Sequence, residues 1–182
     1  GWTVQVGEVS RSVFAALRSL NRFRNFLPVH IKKYLIETLV LPIIDYADVC
    51  YSDISEHLLN KLDRLINYSI RFVFCLRKFD HISSYRRQLK WLPIRERRQL
   101  HLLDSLFSVL FNTNSPDYLK SKFQFLCDSH ARRLRSSNTL CLAFPLHRSG
   151  FLSQSFTFQC IRLWNALPDD IRKINATYRV QL

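Results

Sequence analysis

The sequence predicts a mainly α-helical protein: a helical bundle over residues 1–112, followed by a looser basic part over 113–182 with room for one short hairpin. Three observations point that way. Apolar residues recur at three- and four-residue steps through several long stretches, the spacing that gathers them on one face of an α-helix. Only 3 Gly and 6 Pro occur in 182 residues, too few turn-formers for a sandwich or barrel, which must reverse direction every few residues. Hydrophobic residues make up 47% of the chain and include 14 Phe and 3 Trp, enough apolar surface for helices to bury a core.

Residues 6–24 read as a first amphipathic helix. Val6, Val9, Val13, Phe14, Leu17 and Leu20 share its apolar face, while Arg11, Arg18 and Arg22 fall elsewhere. Leu27-Pro28 breaks the pattern, and Pro28 suits the first turn of a second helix. That helix carries Ile31, Leu35 and Leu39 on one face with Lys32 and Lys33 off it, and Pro42 ends or kinks it. Ser55 is placed to N-cap a third helix with a stripe of Leu58, Leu59, Leu62, Leu65, Ile66, Ile70 and Val73. Asp80 or Ser83 caps a short fourth helix through Leu89. A fifth follows Trp91-Leu92-Pro93 over 94–111, with Ile94, Leu100, Leu103, Leu106, Phe107 and Leu110 on its apolar face.

The run Asn112-Thr113-Asn114-Ser115-Pro116 is turn-forming and sets the expected division between the two parts. Beyond it a short helix runs to about Phe125. Residues 128–150 lose periodicity, and only Leu140, Leu142 and Phe144 alternate as a strand would. Helical spacing returns with Phe156, Ile161, Leu163, Trp164 and Leu167, and Pro168-Asp169-Asp170 starts a last turn.

Charge is the strongest compositional signal. Lys and Arg number 27 against 14 Asp and Glu, a formal net charge of +13. A surplus of this size repels itself unless a polyanion compensates it, and nucleic acid is the foremost such partner. The surplus is also clustered. Between residues 71 and 98 nine basic side chains (Arg71, Arg77, Lys78, Arg86, Arg87, Lys90, Arg95, Arg97 and Arg98) face two acidic ones, with Phe72, Phe74, Phe79, Tyr85 and Trp91 interleaved. A second cluster comprises Arg132, Arg133, Arg135 and Arg148. Arg and Lys neutralise phosphates and release counterions, so both clusters are expected to contact a nucleic-acid backbone. Arg95, Arg97 and Arg98 stand in the first turn of the fifth helix, where they oppose its dipole, which suggests a bound anion there.

No active site can be assembled from these residues. The glycines cannot spell a phosphate-binding loop. Tyr46-Ala47-Asp48-Val49 approaches the Tyr/Phe-x-Asp-Asp turn of RNA-copying polymerases, but Val49 replaces the second carboxylate that a two-metal centre requires. Cys127-x2-His130 and Cys141-x5-His147 offer four zinc ligands, the second pair too widely spaced for a tetrahedral site. No metal or catalytic residue is therefore expected in this chain. Five scattered cysteines without a disulfide pattern suit a reducing compartment, nucleus or cytoplasm, and no stretch reaches the length of a membrane span. The lack of any Met suggests a piece of a longer chain.

Several stretches, taken in order, resemble one family. They are Leu39-Val40-Leu41-Pro42-Ile43-Ile44-Asp45-Tyr46-Ala47-Asp48, Lys61-Leu62-Asp63-Arg64-Leu65-Ile66-Asn67, Arg71-Phe72-Val73-Phe74, Asp80-His81-Ile82-Ser83, Leu89-Lys90-Trp91-Leu92-Pro93-Ile94, Arg97-Arg98, Pro116-Asp117-Tyr118-Leu119 and Leu163-Trp164-Asn165-Ala166-Leu167-Pro168. Their order and spacing look like the region after the catalytic palm in reverse transcriptases of jockey-like non-LTR retrotransposons. The resemblance implies a thumb-like helical unit and the segment after it, gripping RNA or RNA–DNA template–primer. The catalytic carboxylates, their Mg, the fingers and the palm would then lie upstream. The competing reading is a degenerate or host-adopted helical module that binds protein.

Overall fold

A computed structural model describes residues 1–51, 53–129, 140–146, 150 and 152–172. Among these residues the chain is mainly helical, and its only β-type pairing is an isolated antiparallel bridge between Phe125 and Leu142. Two compact units emerge, Gly1–Arg98 and Gln99–Leu182. The division falls inside a helix, upstream of the turn-forming run at 112–116 where composition alone would place it.

The first unit contains α1 (Trp2–Asn21), α2 (Val29–Leu39), α3 (Leu41–Asp45), a 3-10 turn (Asp48–Tyr51), α4 (Glu56–Phe74), α5 (Ser83–Leu89) and the start of α6 (Ile94–Phe111). Its organising element is α4, which packs on α1, α2 and α5. The expected stripe is the buried one: Leu58, Leu62, Leu65, Ile66, Ile70 and Val73 all face the core. Each such Leu or Ile contributes roughly 1.5–3 kcal/mol by leaving water. Ser55 stands at the N-cap with extended backbone, as its position predicts, although its side chain makes no capping bond.

Several details differ from what the sequence suggests, among them the face of α6, where Leu100 is 45% exposed and Leu102 is buried. On α1 the buried stripe is Val6, Val9, Ser10 and Val13, while Phe14 is 43% exposed. On α2 the buried face is Lys32 and Ile36, and Ile31 and Leu39 lie toward solvent. Lys32 is tolerated inside because its ammonium donates to the Arg24 carbonyl (3.4 Å) and the Cys75 thiol (3.2 Å). Neither Asp80 nor Ser83 caps α5: Asp80 accepts from the Arg77 N–H (2.7 Å) and closes the preceding turn, and Ser83 is the first helical residue. The ends of α4 and α5 also lack the glycine that a left-handed C′ position favours. Cys75 (φ 56°) and Lys90 (φ 60°) take it instead. Hydrogen bonds from Leu76 N–H to the Arg71 carbonyl and from Trp91 N–H to the Arg86 carbonyl complete the closing turns.

The second unit contains the rest of α6, then α7 (Asp117–Lys120), α8 (Leu126–Ser129), a 3-10 turn (Leu152–Gln154) and α9 (Phe156–Ala166). Trp164 is its largest fully buried side chain, and its indole N–H donates to the Leu140 carbonyl (2.8 Å). Asn165 acts as a surrogate strand: its Oδ1 accepts from Leu142 N–H and its Nδ2 donates to the Leu142 carbonyl, both at 2.9 Å. The opposite edge of 141–143 pairs with 124–126 through Leu126 N–H to the Cys141 carbonyl and Ala143 N–H to the Gln124 carbonyl. Of the stretch 128–150 in which a hairpin is expected, the described residues 140–146 show a single bridge to residues before it, and 130–139 and 147–149 lie outside the described residues. No helix among the described residues is long and apolar enough to cross a membrane.

Candidate nucleic-acid interface

The dense arginine run at the start of α6 is largely consumed inside the first unit. Arg97 donates from Nε to Asp45 Oδ1 (2.6 Å) and from Nη2 to Asp45 Oδ2, a two-pronged pair with both side chains 21% exposed. That carboxylate holds the Arg97 guanidinium above its usual pKa. Arg98 is buried, donates to the carbonyls of Asp48 (2.9 Å) and Tyr51 (2.7 Å), and lies 4.6 Å from the Tyr51 ring centre. Burial pushes the Tyr51 phenol up, against the opposing pull of Arg98. Arg95 pairs with Glu56 near the start of α4. The anions expected at this helix start are therefore carboxylates of the chain itself. Asp63 adds to them, its Oδ1 standing 3.5 Å from the Ile94 N–H.

Arg86 is engaged in the same way. Its Nη2 donates to both oxygens of Asp63 (3.2 and 3.3 Å) and to Asn67 Oδ1. These contacts give Arg86, Arg97 and Arg98, all members of the predicted phosphate-binding set, partners within the chain. They leave Arg87 and Lys90, both exposed and without a side-chain partner among the described residues. The two line a hollow of about 670 Å³ together with Asn67, Ser83, Trp91 and Pro93.

A different arrangement lies between α1 and α4. A groove of about 520 Å³ is lined by Arg18, Arg24, Arg71 and Lys78, with Phe14 and Tyr68 among its other walls and no carboxylate. Arg24 donates from Nη2 to the carbonyls of Arg71 (3.3 Å) and Leu76 (3.1 Å). Arg71 donates from Nε to the Arg77 carbonyl (3.3 Å) and from Nη1 to the Asn67 carbonyl (3.4 Å). Carbonyls at the end of α4 carry only partial negative charge, so these bonds orient the guanidiniums without cancelling their charge. Arg18 is exposed with no side-chain partner among the described residues, and the Lys78 ammonium lies 5.4 Å from the Phe79 ring centre. Arg77, beside Lys78, is exposed as well.

Of the residues predicted to contact phosphate, the groove gathers Arg71 and Lys78 and adds Arg18 and Arg24, which sequence clustering passed over. A signal for it existed: Phe14 precedes Arg18 by four residues and Tyr68 precedes Arg71 by three, spacings that set an aromatic and a cation side by side on one helix face. Arg132, Arg133, Arg135 and Arg148 lie outside the described residues, as do His130 and His147 of the zinc pattern. Cys141 Sγ accepts from Arg172 Nη1 at 2.9 Å. The Tyr46–Val49 stretch forms a turn with Ala47 in the left-handed region (φ 54°), leads into the 3-10 turn, and gives its Asp45 neighbour to Arg97. Buried Cys160 has its thiol pushed up to about 12 by desolvation, which leaves it inert.

Comparison with known proteins finds no matching protein family, no matching curated protein and no matching solved structure.

Proposed function

We propose that this chain is a non-catalytic nucleic-acid-binding part of an RNA-directed DNA polymerase of the non-LTR retrotransposon kind, holding RNA or RNA–DNA hybrid by its phosphate backbone. The observation that carries the reading is the α1–α4 groove, where four cationic side chains meet no carboxylate. Such a surface favours phosphate, and exposed Arg77, Arg87 and Lys90 extend the uncompensated charge beyond it. The order of the sequence motifs supports the polymerase context. In that context the fingers and palm of the parent chain are partners, and its Mg belongs to the palm.

The test is a titration of labelled RNA–DNA hybrid across a salt series. Four or more phosphate contacts give a log–log slope of about −3 or steeper. Absent binding at low salt, or binding indifferent to salt, overturns the reading. A second reading, a host-adopted helical module that binds protein, draws on the apolar residues that α2 and the turn before it leave in solvent: Phe23, Phe26 and Tyr34 are 56%, 84% and 64% exposed. It gains if the hybrid does not bind and the chain captures a protein that substitutions at those three residues release.

A further inference from the structure

We infer that the α1–α4 groove is a site for an unpaired nucleotide, so that the chain prefers a hybrid with a single-stranded extension to a fully paired one. The inference rests on the nucleic-acid reading above and deepens it.

Phe14 and Tyr68 carry the argument. Both are 43% exposed, and they meet edge to face with ring centres 5.3 Å apart. They line the groove and are not among the buried core residues, to which their near neighbours in sequence Val13, Ile70 and Phe72 belong. Aromatic surface left in water beside cations is an arrangement on which a base can stack. A paired base cannot use it, because its faces are already covered by its neighbours in the duplex. An unpaired base offers a free π-face whatever its identity. The volume of about 520 Å³ lies within the ~300–1,000 Å³ of sites that receive small organic groups.

The charge selects the class of occupant. Exposed Arg18 and Lys78 stand on the lining, where no carboxylate among the described residues meets their charge. Among the described residues, Arg71 and Arg24 add charge that only carbonyls meet, and the buried Arg24 Nε–H has no acceptor. An apolar protein helix would leave that donor and those charges uncompensated. A nucleotide supplies the π-face and the phosphate in one ligand.

The experiment uses the full chain and two RNA–DNA hybrids, one blunt and one with a short single-stranded extension carrying 2-aminopurine. The extended hybrid binds about tenfold tighter, in keeping with the stacking of a single base, and binding quenches the 2-aminopurine. Tyr68→Ala removes the preference and the quenching, bringing the extended hybrid down to the affinity of the blunt one. Tyr68→Phe, which keeps the ring and the packing, retains both. Equal affinity for the two hybrids with blunt binding intact overturns this inference alone. A Tyr68→Ala protein that keeps the full preference also overturns it, as does a Tyr68-dependent acidic peptide that binds where no nucleotide does. Failure to bind either hybrid overturns it together with the proposed function.

Discussion

The arginines of the α1–α4 groove and those of α5 and the start of α6 differ in what answers their charge. Around α5 and α6 the answering groups are carboxylates: Asp63 for Arg86, Glu56 for Arg95 and Asp45 for Arg97. In the groove they are main-chain carbonyls, for Arg24 and Arg71, or nothing among the described residues, for Arg18. A carboxylate cancels a guanidinium and locks helices together, whereas a carbonyl orients it and leaves its field available. Residue type and local density are alike in the two regions. The location of the acids decides which becomes scaffold and which becomes surface.

The largest effect that separates them is at Arg98. Its buried guanidinium bridges the carbonyls of Asp48 and Tyr51 and covers the Tyr51 ring. Arg98→Ala strands two acceptors and removes a stacked cation, a loss of about 3 kcal/mol. Urea unfolding reads it as a lower midpoint at unchanged m-value. Arg98→Lys recovers little of it, because an ammonium cannot reproduce the fork. An Arg98→Ala protein of normal stability but weak hybrid binding would move this residue from scaffold to interface.

Next in size is the pair of Arg97 with Asp45. Both partners are about one-fifth exposed, so solvent screens them in part and the two-pronged geometry is worth about 1–2 kcal/mol. A double-mutant cycle with Arg97→Ala and Asp45→Ala measures that coupling directly. Hybrid affinity of the refolded single variants stays within twofold. A tenfold loss on Arg97→Ala alone would show that Asp45 shares its arginine with phosphate.

The sequence revealed the helices far better than their surroundings. The bounds of α6 and the stripe of α4 were legible because burial on one side of a long helix imposes a 3.6-residue period on sequence. The buried face of α2 was not: Lys32 breaks the apolar pattern, and the groups that make it tolerable, the Arg24 carbonyl and the Cys75 thiol, come from elsewhere in the chain. The turns at Cys75 and Lys90 were hidden because neither residue is the glycine that marks a left-handed end. The partners of the basic residues were hidden for a related reason. Counting Arg and Lys along 71–98 registers density, but Glu56 and Asp45 answer that density from outside the window, and Arg18 and Arg24 join Arg71 from a different helix.

The smallest effect tests the comparison from the opposite side, by turning scaffold into surface. Arg95 and Glu56 are 48% and 62% exposed, so their pair adds only about 0.2–1 kcal/mol to stability. Glu56→Gln leaves the fold almost unchanged and frees the Arg95 charge. If neutralisation by carboxylates is what keeps the α6 arginines off the nucleic acid, the freed residue adds attraction for phosphate. Hybrid affinity then rises about twofold at low salt, and the gain fades as counterions screen it. The paired change Glu56→Gln with Arg95→Gln returns affinity to its starting value. A gain that survives in the double variant would come from loss of a negative charge near the ligand rather than from release of Arg95, and would locate the α4 start beside the bound backbone.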